Sequence, residues 1–197
     1  RRSSDLGNTT SKGDNANEMG DNLTAIDLGT GRTATKIVAG LDYVCALLDN
    51  GTVKCWGENQ RGQLGKDSTN DLGDGAGEMG DSLAVVNIGA GRTATDIIGL
   101  YETVCVKRDN NTMICWGRNN QGQVGKGATG GANSAIGDAG GEMAAIASIN
   151  MSTGFGTLST MFSLGRAACA MDTLNVVKCW GFNTYGQQLK GDRKSVV

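Results

Sequence analysis

Short apolar runs recur along this chain in pairs, each pair split by a polar turn. Val44-Cys45-Ala46-Leu47-Leu48 is followed by Asp49-Asn50-Gly51 and then by Val53-Lys54-Cys55-Trp56. Runs of this length around an Asn-Gly dipeptide read as a β-hairpin, because Asn and Gly both tolerate a positive φ. A three-residue loop with Gly51 left-handed pairs Leu48 with Thr52 and sets Cys45 opposite Cys55. A two-residue Asn-Gly loop would shift the register by one and send the sulfurs to opposite faces. The pattern returns as Val104-Cys105-Val106-Lys107-Arg108, Asp109-Asn110-Asn111 and Thr112-Met113-Ile114-Cys115-Trp116. It returns again as Ala168-Cys169-Ala170-Met171, Asp172-Thr173-Leu174-Asn175 and Val176-Val177-Lys178-Cys179-Trp180, with Gly lost from the later turns. Two further strands are expected ahead of each hairpin. One is Leu23 to Leu28, repeated as Leu83 to Ile88; the other is Ala34 to Ala39, repeated as Ala94 to Gly99. The Ala-rich stretch from Gly140 to Ile149 reads as loop or a short helix.

These pairs belong to an internal repeat. Glu18-Met19-Gly20-Asp21 returns as Glu78-Met79-Gly80-Asp81, and Gly31-Arg32-Thr33-Ala34-Thr35 as Gly91-Arg92-Thr93-Ala94-Thr95. Gln60-Arg61-Gly62-Gln63-Leu64-Gly65-Lys66 returns as Asn120-Gln121-Gly122-Gln123-Val124-Gly125-Lys126. A third copy runs from Glu142-Met143 through Cys169 to Cys179-Trp180-Gly181, Asn183 and Gly186-Gln187. It has drifted: the Gly-Arg-Thr-Ala-Thr segment has no clear counterpart between Met151 and Ser163. Every Trp sits in a Cys-Trp-Gly triplet and every Cys in a Cys-x9-Cys pair. About four short strands per ~60-residue unit, joined by Gly-rich turns, fit one blade of a β-propeller. The expected units are residues 18–77, 78–141 and 142–191. Residues 1–17 form a leading loop or the end of a preceding blade, and 192–197 a tail.

The segment from Cys45 to Gly65, Cys-Ala-Leu-Leu-Asp-Asn-Gly-Thr-Val-Lys-Cys-Trp-Gly-Glu-Asn-Gln-Arg-Gly-Gln-Leu-Gly, resembles the repeat of the regulator of chromosome condensation (RCC1) family. The Glu-Met-Gly-Asp and Cys-x9-Cys elements further resemble the Cys-paired RCC1-like proteins of bacteria and protists. The resemblance extends over roughly residues 18 to 191 and implies an all-β fold: a partial β-propeller of three four-stranded blades, an open arc of the family's seven-bladed ring. Each blade buries its faces against its neighbours, so an open arc leaves two apolar end faces wet. Missing blades of a longer chain, self-assembly or a partner would cover them, and the lack of an initiator Met points to the first.

Composition narrows the chemistry. The 197 residues include 32 Gly, 6 Cys, no Pro and no His, with a net charge of −2. Without His there is no Ser-His-Asp triad, Cys-His pair or His-ligated zinc. A weakly acidic chain lacks the positive field that nucleic-acid binding requires, and the short basic stretch 190–194 is too small to supply it. No apolar run approaches the ~20 residues that span a bilayer. The strictly paired cysteines read as three disulfides, Cys45–Cys55, Cys105–Cys115 and Cys169–Cys179, each contributing about 2–3 kcal/mol; the alternative is six small buried thiols of a reduced protein. Disulfides imply an oxidising compartment. Five Asn-x-Ser/Thr sequons, at Asn8, Asn22, Asn50, Asn110 and Asn150, agree with that, although a chain rich in Asn and Thr yields such triplets by accident. Residues 71 to 81 hold four carboxylates among glycines, a composition calcium accepts, but the spacing fails the EF-hand template. Trp56, Trp116 and Trp180 read as packing residues between blades. Arg32 and Arg92 are candidates to pair with Asp21 or Asp81.

Nothing in the sequence assembles a nucleophile with a base, a cofactor fingerprint or paired carboxylates on a cleft. The expected function is therefore a non-enzymatic scaffold for a protein partner, with no cofactor and no metal, in an extracellular or surface setting. The RCC1 resemblance implies a different reading: nucleotide exchange on a small GTPase, or association with chromatin, in the nucleus or cytoplasm. A third is an inhibitor-like binder that caps an enzyme.

Overall fold

A computed structural model describes residues 9–127, 134–151, 154–186 and 188. The basic stretch 190–194, the tail 192–197, Asn8 and Ser152 lie outside the described residues. The chain forms three antiparallel sheets in succession. The first is β1 (Ala34–Ala39), β2 (Tyr43–Leu48) and β3 (Val53–Gly57); the second is β4 (Ala94–Gly99), β5 (Thr103–Arg108), β6 (Met113–Arg118) and the short β7 (Ala135–Ile136); the third is β8 (Leu158–Ser163), β9 (Ala167–Asp172) and β10 (Val177–Gly181). This is a partial β-propeller: the sheets face one another, with β1 against β4 and β4 against β8.

The hairpin takes the three-residue loop. Leu48 donates to Thr52 O at 2.9 Å, Gly51 sits at φ +75°, and Cys45 pairs with Cys55. In the later copies Asn111 and Asn175 take the left-handed place at φ 60° and 64°, so asparagine supplies the backbone freedom that glycine gave first. The third copy's first strand is present although its sequence drifted. Each leading strand carries a bulge at the same position, between Ala34 and Lys36, Ala94 and Asp96, and Leu158 and Thr160. Thr33, Thr93 and Thr157 each accept from the turn opposite, namely from Asp49, Asp109 and Thr173 N–H.

The segments Leu23–Leu28 and Leu83–Ile88 are not ladder strands. Leu83, Val86 and Ile88 are the buried positions of the second. That spacing breaks the two-residue alternation of a pleat, and the chain twists so that these side chains plug the groove between sheets. Only Val86 N–H reaches a ladder edge, donating to Val53 O of the preceding sheet at 2.8 Å; Ile149 does the same to Met113 O. The fourth-strand place is filled by a single bridge, Gly57 to Leu72, in the first sheet and by β7 in the second. Residues 140–149 are turns followed by extended chain.

The core is two clusters, one per joint. Between the first and second sheets lie Leu47, Val53, Leu64, Val86, Ile97, Val106 and Trp116; between the second and third lie Ile98, Leu100, Met113, Val124 and Met161. β4 is thus buried on both faces, Ile97 toward one joint and Ile98 toward the other. Ile37, the counterpart of Ile97 one repeat earlier, is 62% exposed. Ile97→Ala is expected to lower unfolding free energy by about 2–5 kcal/mol, and Ile37→Ala by about 0.5 kcal/mol or less. Denaturant titration of the two variants checks the contrast.

Candidate functional site

The loops that follow each hairpin are braced by side-chain amides. Asn59 accepts from Leu64 N–H and donates to Ser68 O and Asn70 O; Gln63 accepts from Arg61 N–H and donates to Glu58 Oε2. Asn119 and Gln123 repeat this with Val124 and Gln121 N–H, and Asn183 accepts from Gln188 N–H. Both Asn59 and Gln63 are fully buried, so their hydrogen bonds offset the cost of desolvating two amides. Each braced loop receives the tryptophan of the next repeat. Trp116 Nε1 donates to Gln63 O at 2.9 Å, and Trp180 Nε1 to Gln123 O at 2.8 Å. A Cβ on Gly65 would meet the Trp116 indole at 2.8 Å, so that glycine sets how closely the ring seats. Trp56, the first of the set, is half-buried beside Gly73.

All three cystines are formed, with Cα–Cα distances of 4.1, 4.1 and 4.0 Å, the spacing of closely facing antiparallel partners. They clip β2 to β3, β5 to β6 and β9 to β10 and suit an oxidising environment.

The acidic glycine loops have an internal use for their glutamates. Glu78 accepts from Gly73 and Gly75 N–H, Glu18 from Gly13 and Asn15, and Glu142 from Gly137, Asp138 and Ala139. The backbone donors, Gly75 first, hold the Glu78 carboxyl below its ordinary 4.5. Among the described residues no group of three or more His, Cys, Asp or Glu is placed to hold a metal ion. The arginines do not pair with Asp21 or Asp81 as expected: Arg32 lies against Asp49 and Arg92 against Asp109, both at 3.4 Å. Asp81 instead accepts from Thr30 N–H and Oγ1. Asp49 and Asp109 open the loops at the hairpin tips, and their N–H groups donate to Thr33 O and Thr93 O, which brings each loop beside an arginine distant in sequence. At those tips Asn50 and Asn110 accept from the hydroxyls of Thr52 and Thr112.

One rim gathers aromatic and arginine side chains, of which Arg166 and Tyr185 are exposed and Tyr101, Arg118 and Phe182 half-buried. It is made by the turns at 40–43, 100–103 and 164–167 with the strand ends opposite them, for Glu58, Arg118 and Phe182 N–H donate to Asp42, Glu102 and Arg166 O. Leu41 N–H donates to Tyr101 O and Tyr101 N–H to Gly165 O, both at 2.7 Å, which ties the three turns in a row. Arg166 lies 4.1 Å over the Tyr101 ring, Arg118 pairs with Glu102 at 2.5 Å, and Tyr185 is 84% exposed beside Phe182. At the first repeat the rim is acidic. Burial, followed by Glu102, Asp42 and Asp71, pushes the Glu58 carboxyl up. Sequence reasoning passed over this rim because its residues differ from repeat to repeat; the signal was that variation between fixed Gly and Asn positions.

Comparison with known proteins agrees with the repeat. Residues 34–63 match the Regulator of chromosome condensation (RCC1) repeat. The chain is similar in fold to human WBSCR16, at 15% identity and a TM-score of 0.63, covering 91% of this chain and 40% of that one. It is similar to yeast RCC1 (Prp20), in the structure with Kap60, at 17% identity and TM-score 0.54, covering 76% and 32%. It is also similar to Prp20p from Saccharomyces cerevisiae, described with its binding properties to Gsp1p and histones, at 15% identity and TM-score 0.56, covering 81% and 35%. The chain thus spans less than half the length of these proteins. It resembles the RCC1 repeat family in repeat and in fold.

Two outcomes follow. Thiol titration in denaturant without reductant is expected to find no free thiol, and six after reduction. Glu78 is depressed in the folded state, so its contribution is complete above 4.5 and is lost as pH falls through the lower folded value. Glu78→Gln should therefore be less stable than the parent at neutral pH, with the gap narrowing as pH drops below 4, read from thermal midpoints.

Proposed function

We propose that the chain is a non-enzymatic scaffold that holds a protein partner against the rim of residues 40–43, 100–103, 164–167 and 182–186. The observation that carries this is the Tyr101–Arg166 stack with Arg118 and the exposed Tyr185 on turns tied by backbone hydrogen bonds. Aromatic residues and arginine are enriched where proteins bind proteins, and a braced turn loses little freedom on binding. Residues 18–77, 78–141 and 142–191 serve as the repeat units, one sheet falling within each. The same reading sets the protein in an extracellular or cell-surface environment, which the three disulfides support because such bonds persist in oxidising compartments.

A second reading, regulation of a small GTPase or association with chromatin, is supported by likeness to Prp20p, which is described with Gsp1p and histones. At 15% identity that likeness carries fold, and fold is a weak guide to task.

The test compares affinity capture by the parent chain with capture by a Tyr101→Ala, Arg166→Ala, Tyr185→Ala variant of equal thermal stability. A partner retained by the parent and lost by the variant is the expected result. An unchanged set of bound proteins would remove the rim from the proposal. Accelerated guanine-nucleotide release from a small GTPase by the parent would favour the second reading.

A further inference from the structure

The tips of the first two hairpins carry the same chemistry at the same place. They read Asn50-Gly51-Thr52 and Asn110-Asn111-Thr112, each an Asn-x-Thr acceptor sequence for N-glycosylation. Thr52 Oγ1 donates to Asn50 Oδ1 at 2.7 Å, and Thr112 Oγ1 to Asn110 Oδ1 at 2.6 Å. The backbone N–H groups of Thr52 and Thr112 donate to the same two oxygens. The turn bonds thus fall on Oδ1, while Nδ2 of Asn50 and Asn110 has no hydrogen-bond acceptor among the described residues. Both asparagines are exposed. Asn110 stands on the middle sheet, which has a neighbour on either side, so its exposure is independent of where the array stops.

The third hairpin shows that the turn itself does not need an asparagine at this position. Leu174 and Val176 stand in the places of Asn110 and Thr112. Asp172 Oδ1 accepts from Leu174 and Val176 N–H instead, both at 2.8 Å, and Asn175 keeps the left-handed place that follows. A carboxylate at the start of the loop therefore braces it equally well, which leaves Asn-x-Thr on the other two tips with a use outside the fold. The tips also lie at the far ends of β2 and β5 from the turns at 40–43 and 100–103. Six extended residues separate them, about 20 Å. A bulky group on a tip leaves the rim open.

We propose that Asn50 and Asn110 are N-glycosylation sites that take an oligosaccharide on Nδ2. This rests on the reading that the protein works outside the cell or at its surface. The donor is an oligosaccharide carried on a lipid diphosphate, delivered by a transferase of the secretory compartment. Nδ2 bonds to C1 of the first sugar and the bond from C1 to the diphosphate oxygen breaks. The lipid diphosphate leaves with that electron pair, and Nδ2 gives up one proton. The product is still an amide, so Oδ1 keeps both turn bonds and the hairpin keeps its loop.

Peptide mass mapping of the protein purified from the cells that make it reads the sites directly. The digest is compared before and after an amidase that removes N-linked glycans and leaves aspartate at each carrier. Thiol titration of the same sample reads the compartment. The expected result is a glycan on both Asn50 and Asn110 and all six cysteines paired. Paired cysteines with both asparagines bare overturn the proposal and leave the extracellular reading standing, and so does a glycan confined to Asn22. Free thiols together with bare asparagines overturn both. In the chain secreted by eukaryotic cells, Thr52→Ala should lose the glycan from Asn50 alone and Thr112→Ala from Asn110 alone, while Thr52→Ser retains it. A glycan that persists on Asn50 without the Thr52 hydroxyl also contradicts the proposal.

Discussion

Neighbouring sheets in this protein meet backbone to backbone at their inner strands, and that approach needs glycine. A Cβ on Gly40 would overlap Leu100 O and the Tyr43 ring, and one on Gly99 would come within 2.8 Å of Ala39 O. Gly40 and Leu100 occupy the same place in successive repeats, as do Ala39 and Gly99. The sheets therefore stack in register, and each residue tends to touch its own counterpart. Tyr43 OH donates to Thr103 O, Lys36 pairs with Asp96, and Leu41 N–H donates to Tyr101 O.

Register has a consequence for energetics. A three-stranded sheet cannot bury both of its faces, so most of the apolar burial belongs to joints between units and little to any unit alone. The second sheet, with a neighbour on each side, holds the fully buried Ile97, Val104, Ile114 and Trp116. The same logic leaves the rim free to vary. The braced loops and the tied turns keep their backbone paths through Asn, Gln and Gly, while Leu41, Tyr101 and the side chains around them change from copy to copy without disturbing the joints.

Legibility in the sequence followed how local the determining interaction was. The hairpins, their three-residue turns and the Cys pairing could be read because Asp-Asn-Gly and a ten-residue Cys separation are settled within one hairpin. The path of Leu83 to Ile88 could not, because the groove it fills is formed by two sheets and its buried positions follow that groove instead of a pleat. The strand at Leu158 was hidden for another reason: its bulge and its bond from Thr173 to Thr157 are backbone features that survive loss of the Gly-Arg-Thr-Ala-Thr letters. Glu78 looked like a solvated acid or a cation ligand because carboxylate composition does not reveal that nearby backbone N–H groups converge on it. The rim was the least legible part, since Tyr101 and Arg166 belong to different repeats and meet only when those repeats stack.

The central claim is that the joints between sheets, and not the sheets singly, are the unit of stability. Native-state hydrogen exchange of the backbone tests it most directly. The cross-sheet donors Leu41, Val86, Ala94 and Tyr101 should exchange with the same opening free energy as ladder amides such as Val106, because freeing them requires a joint to come apart. If those four amides exchange at the rate of open loops while the ladders of each sheet remain protected, the sheets stand on their own and the account fails.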